Sequence, residues 1–157
     1  MYFGLVTKAM SKQNKYIGIL EKILTHLKNS KLEYFKASDH ALSSEKKRFF
    51  NQQALIRNRF FQDVLSELQR LGISSDDLII SQFNFDQLLI STIDTLKSSA
   101  IEKCLHADQA LLKIYSDLKK FEKSNLDFDK HIKQLEVSVS QNEEWISSFT
   151  EKKINSF

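Results

Sequence analysis

The sequence predicts an all-α protein, a four-helix bundle, on three observations. The chain has no proline and only three glycines in 157 residues, so few residues interrupt helical backbone. Apolar side chains recur three and four residues apart in four long segments, the period of a helix that buries one face. Short clusters of turn-forming residues separate the first segment from the second and the third from the fourth, as expected for antiparallel hairpins.

The first helix is expected over about Lys15 to Asp39, with Tyr16, Leu20, Ile23, Leu24, Leu27 and Tyr34 on its apolar stripe. The segment 39–44 then turns, and Ser44 is placed to cap the next helix by accepting from a free first-turn amide. A second helix, about Glu45 to Leu71, is expected to bury Phe49, Ile56, Phe60, Val64 and Leu68, with Phe50, Ala54, Phe61 and Leu65 beside them. Gly72 ends it, because glycine tolerates the left-handed geometry of a helix terminus. Residues 73–84 read as a connection. The third helix begins near Phe85, with a break signal at Ser98-Ser99, and repeats Leu89, Ile93, Leu96, Ala100, Cys104, Ala107, Leu111, Ile114, Leu118 and Phe121 at heptad spacing. After a turn at Lys123-Ser124-Asn125, the fourth runs from about Asp127 to Lys153 with Phe128, Ile132, Leu135, Val139, Ile146 and Phe149 inward.

An apolar content of 41% in a chain of this length supports one domain with a substantial core. The expected organisation is a disordered N-terminal extension over residues 1–11, upstream of an ordinary start at Met10-Ser11-Lys12, and a single bundle domain over 12–157. With Cys104 as the only cysteine, no intramolecular disulfide and no thiolate cluster can form. No apolar run approaches the roughly 20 residues needed to cross a bilayer, and the N-terminus lacks a signal-peptide pattern. A cytoplasmic protein without a membrane role is expected. Residues 1–71 carry 13 Lys/Arg against 6 Asp/Glu, and the remainder 10 against 14. The lysines are spread around helical turns with no basic arm, which argues for solvated faces and against nucleic-acid binding.

Five polar side chains are placed to face inward. Asp108 has Ile101, Leu105, Leu112 and Tyr115 around it on its helix surface, and a carboxylate there must be paired, hydrogen-bonded or bound to a cation. Gln53 falls between Phe49 and Ile56, and Asn142 between Val139 and Ile146. Glu33 and Gln53 lie roughly 15 Å from the first turn, and Asp108 and Asn142 about 25 Å from the second, in helices about 40 Å long. The four share a level only if the second and third helices run parallel, joined by a crossover along the bundle. That is ferritin-like connectivity. Arg57, one turn beyond Gln53, can then reach the same level and neutralise Asp108 or Glu33 through its planar fork.

Three stretches carry a resemblance: Lys31-Leu32-Glu33-Tyr34, the run from Arg57 to Leu65, and the run from Cys104 to Tyr115. Over about Lys12 to Phe149 the chain resembles the uncharacterised bacterial ferritin-like four-helix-bundle proteins, a domain of unknown function. That family has a glycine-tyrosine pair in the first helix, arginine with phenylalanine and leucine in the second, and Glu-Asp-Ala-Ala-Leu-Lys-Ala-Tyr in the third. Here Glu33 stands where the family has a small residue, Asp108 replaces a glutamate and Asn142 lies near a family histidine. The resemblance implies the fold, a bacterial origin and a role in stress or metal physiology. It supplies no reaction.

A di-iron carboxylate bundle needs Glu-x-x-His on two helices. None exists here: His26, His40, His106 and His131 follow Ile23, Ala37, Lys103 and Phe128 by three residues. The pairs Glu102/His106 and Asp127/His131 have ligand spacing, but such i,i+4 pairs are ordinarily solvent-facing. Cys104 reads as a small core residue. The expectation is therefore a non-catalytic bundle, a binding, scaffolding or stress-associated protein whose degenerate metal site is replaced by a buried polar network of Glu33, Gln53, Arg57, Asp108 and Asn142, with no cofactor. The alternative is a carboxylate metalloprotein holding iron or another divalent cation through Glu33 and Asp108. The expected assembly is a homo-oligomer such as a dimer, with Phe50, Phe61 and Trp145 at stripe edges as its face.

Overall fold

A computed structural model of the chain describes residues 2–74, 99–121 and 128–155, with side chains described over 13–74, 99–121 and 128–148. The described residues form four helices: α1 (Tyr2–His40), α2 (Ser44–Arg70), α3 (Ala100–Leu118) and α4 (Phe128–Asn155). No strand occurs among them. The start expected near Lys15 is interior to α1, which runs for 39 residues. The first part of the expected third helix, residues 85–98, and the turn at Lys123-Ser124-Asn125 lie outside the described residues.

Helix ends follow local chemistry. The cap of α2 is Ser43, one residue before the expected Ser44: its Oγ accepts from the Lys46 amide at 3.2 Å while its backbone stays extended. Ser99 caps α3 in the same way through the Glu102 amide, so the Ser98-Ser99 signal marks a true helix start. At the end of α2, Gly72 has φ 88°. Its amide bonds the Gln69 carbonyl and the Ile73 amide bonds the Leu68 carbonyl, each at 3.0 Å. This is a Schellman terminus, which satisfies two of the last helix carbonyls.

The helices pack as α1 on α2, α1 on α3 and α3 on α4. Contacts along their length set their directions. Tyr16 meets Glu67 and Phe121, whereas Tyr34 meets Asp108 and packs on Phe50. Both α2 and α3 therefore run antiparallel to α1. His131 meets Tyr115 and Ser138 meets Asp108, so α4 runs antiparallel to α3. One apolar cluster fills the bundle around Leu20, Leu27, Val64, Leu68, Leu111 and Leu135, and a second surrounds Tyr34, Phe50 and Cys104.

The inward stripe of α2 is rotated from the expected one. Phe50, Ala54, Arg57, Phe60, Val64 and Leu68 are buried, while Phe49 and Ile56 are only partly so. The rotation follows from Arg57: with its guanidinium inward, the residues at −7, −3, +3, +7 and +11 must share its face. It also corrects the expected dimer face, because Phe50 is 1% exposed. Phe50 forms an aromatic cluster with Phe49 and Trp145, ring centroids 5.0 to 5.8 Å apart.

Gly18 and Gly72 respond in opposite senses to alanine. Gly72→Ala is expected to lower stability by about 1 to 2 kcal/mol, the cost of a side chain in left-handed backbone. Gly18 is helical, and a methyl group added there would meet no atom within 4 Å, so Gly18→Ala is expected to raise stability by up to about 1 kcal/mol. Urea denaturation midpoints of the two variants check both signs.

Candidate functional site: a buried arginine cluster

Arg57 enters the centre of the bundle from α2, and its side chain and that of Asp108 on α3 are both 0% exposed. The guanidinium meets the carboxylate side on, Nε donating to Oδ1 at 3.2 Å and Nη2 to Oδ2 at 2.9 Å. Nε shares its single proton with Ser30 Oγ of α1, also at 3.2 Å. Nη2 further donates to Ser138 Oγ of α4 at 2.8 Å, and Nη1 to Gln53 Oε1 at 3.0 Å. All four helices thus contribute a polar atom to one guanidinium. The Tyr34 ring lies 5.0 Å from its central carbon, adding a cation–π contact.

Asp108 is equally occupied. Ser30 Oγ donates to Oδ1 at 3.0 Å and Tyr34 OH donates to Oδ2. Ser138 Oγ lies 2.7 Å from Oδ2 and 2.8 Å from the Leu135 carbonyl, and its one proton serves either. Asn142 Nδ2 donates to Tyr34 OH at 2.9 Å, extending the chain one turn along α4. Burial is the largest influence on Arg57 and opposes its charge, but the charge and hydrogen bonds of Asp108, with Tyr34 and Cys104, together outweigh it and leave the guanidinium harder to deprotonate than usual. Burial and the Asp108 charge hold the Tyr34 hydroxyl well above its usual range. Burial, with Asp108 and Glu33 nearby, likewise pushes the Cys104 thiol up.

Of the five residues expected to face inward, the structure joins Gln53, Arg57, Asp108 and Asn142 through hydrogen bonds and leaves Glu33 outside that chain. Glu33 is buried, and Lys36 stands 3.9 Å from its carboxylate. The reading from sequence missed Ser30, Tyr34 and Ser138, which link the others. A signal for them was present: Leu27-Ser30-Tyr34 and Leu135-Ser138-Asn142 share the i, i+3, i+7 spacing of an inward stripe. The hydroxyls were hidden because serine is ordinarily a surface residue and tyrosine counts as apolar.

A second buried polar group was also missed. His131 on α4 has Nδ1 2.7 Å from Tyr115 OH and Nε2 3.0 Å from Asp63 Oδ2. Its ring stacks on Phe60 at 3.8 Å. Hydroxyl, imidazole and carboxylate in series have the order of a nucleophilic triad. Burial nevertheless holds the Tyr115 proton more tightly than usual, and the hydroxyl is wholly enclosed. The group lacks both an activated nucleophile and access for a substrate. Nearer the N-terminal side of the described α1 side chains, Glu67 accepts from Tyr16 and from Arg70.

The residues do not fit a divalent cation at Asp108. A carboxylate offers about four lone-pair directions, and here they face Arg57, Ser30, Tyr34 and Ser138. The guanidinium occupies the place where positive charge is needed. Among the described residues no three His, Cys, Asp or Glu side chains converge as a metal site, and no helix is long and apolar enough to cross a membrane. Comparison with protein-family models, curated proteins and solved structures found no match.

Asp108→Leu alone is expected to cost about 3 to 5 kcal/mol by orphaning a buried cation, whereas Arg57→Met with Asp108→Leu is expected to recover most of that loss. A double-mutant cycle in urea checks this, with strong non-additivity expected. A second expectation concerns alkali. The folded chain holds the protons of Cys104, Tyr34 and Tyr115 beyond the pH at which the unfolded chain releases them. Their contribution is complete below the unfolded thiol and phenol values and is lost as pH rises above about 9 to 10. Unfolding midpoints between pH 7 and 11 are expected to fall, with a shallower fall in Tyr115→Phe.

Proposed function

We propose that this chain is a non-catalytic bundle of ferritin-like connectivity, acting as a binding or scaffolding protein, whose interior cation is replaced by an arginine. The observation that carries the proposal is the fully buried Arg57–Asp108 pair, bonded to side chains of all four helices. Its positive charge belongs to the chain itself, so the core is complete without an ion. The crossover is supported by α2 and α3 both running antiparallel to α1, and by α3 packing on α1. In an up-down-up-down bundle the first and third helices would sit on a diagonal.

The enclosed Tyr115 hydroxyl, bonded to the buried His131, and the tightly held Cys104 thiol leave no reactive side chain facing a cleft at either place. Activity of this kind of bundle then resides on its outer faces, as contacts with other macromolecules. The resemblance to the bacterial ferritin-like family extends the reading to a cytoplasmic protein acting under stress. Protein purified without a polyhistidine tag is expected to contain iron, manganese and zinc well below one equivalent, with a thermal midpoint unchanged by chelator. Stoichiometric metal whose removal lowers the midpoint would overturn the proposal in favour of a site at Glu33 and Asp108.

A further inference from the structure

The helices α2 and α4 pack less closely than the other neighbouring pairs, and a groove of about 570 Å³ lies along them. It is lined by Phe49 of α2 and by Lys133, Val137, Ser140 and Glu144 of α4, with Glu136 and Gln141 beside these. Val137 is 59% exposed, an apolar side chain at the middle of an otherwise polar stripe. Lys133, Glu136 and Glu144 make no ion pair with the described residues.

The stripe is distinguished by the placement of its charges on an ordinary helix face. Its positions 133, 137, 140 and 144 are spaced four, three and four residues apart, so the pattern reads the same in both directions. Its charges do not: lysine stands at one end and glutamate at the other, roughly 16 Å apart along the axis. An identical helix laid antiparallel across it, about a two-fold axis between Val137 and Ser140, would bring each Lys133 to the other copy's Glu144. Glu136 would meet Gln141 of the second copy, and Val137 would pack over Ser140, whose small side chain permits close approach. A closed two-fold contact requires this self-complementarity, in which i meets j and j meets i.

We infer that the α2–α4 groove is a homodimer face and that its occupant is a second copy of the same chain. This names the partner for the surface-contact role proposed above and rests on that reading. Its test leaves Arg57 and Asp108 untouched, so the two readings fail separately. A foreign partner would have to supply the same spacing with inverted charge, which the chain already carries. A contact confined to about three turns of one helix falls short of the roughly 800 Å² per partner of stable complexes, so the dimer is expected to be reversible and weakened by salt at its charged ends.

Sedimentation equilibrium of the full chain over a range of concentrations gives the dimer dissociation constant. Lys133→Glu alone and Glu144→Lys alone each create two like-charge pairs per dimer and are expected to weaken it about ten-fold or more. Combining them restores opposite charges and is expected to return the constant to within about three-fold of the parent. Val137→Lys, at the centre, is expected to abolish the dimer while helix content is retained. A parent chain that stays monomeric, a dimer indifferent to the single reversals, or a combined variant as weak as either single would overturn the inference.

Discussion

The structure depends on one requirement: a guanidinium with no exposed surface must find partners for its donors inside the protein. Leaving an ion unpaired in that setting costs more than most single packing contacts return. Arg57 meets the requirement by drawing on every helix, Ser30 from α1, Gln53 from its own α2, Asp108 from α3 and Ser138 from α4. Each helix is thereby held in rotation as well as position. A turn of any one by a single residue would swing its polar atom about 100° away and leave a buried charge unpaired.

Ion pairs of this kind contribute less to net stability than their geometry suggests, because desolvation of both partners offsets the attraction. Their effect is chiefly to penalise alternatives. Apolar stripes of Leu, Ile and Phe can slide or reorder with modest loss, whereas Arg57 and Asp108 fit one register. The same logic recurs away from the centre, where Tyr16 bonds Glu67 and Tyr115 bonds His131. In each case a tyrosine lines the core with its ring and satisfies a buried polar group with its hydroxyl. The interior is a packed apolar core crossed by polar ties, and each of these ties joins two different helices.

An arginine at the centre of the bundle also limits what the interior can do. A metal bound by carboxylates can keep an open position for substrate or oxygen, whereas a buried guanidinium has only donors and no coordination site to open. The donors around Asp108 are hydroxyls and a guanidinium fork, and the nearest thiol and phenol hold their protons tightly because they are buried beside negative charge. Chemistry at this centre is therefore suppressed by the arrangement that holds the fold together.

Periodicity alone determined the helical class, the four helices and most of the core, since a 3.6-residue repeat is a local property of the chain. The inward direction of Asp108, Gln53 and Asn142 was also legible, because each interrupts an apolar stripe on its own helix. The rotation of α2 was not: Phe49, Phe50, Ile56 and Phe60 offer two adjacent apolar stripes of similar strength, and only the bonds that Arg57 makes to three other helices select between them. Ser30, Tyr34 and Ser138 have inward spacing, but their part in the polar cluster was not legible, because a hydroxyl is equally at home in water or against a buried carboxylate. The partners of His131 were hidden for the same reason, Asp63 and Tyr115 lying 68 and 16 residues away. The chain alone determines which faces are apolar. Which polar atoms meet inside them was decided only by tertiary packing, because hydrogen bonds form between neighbours in space and the sequence orders its residues along a line.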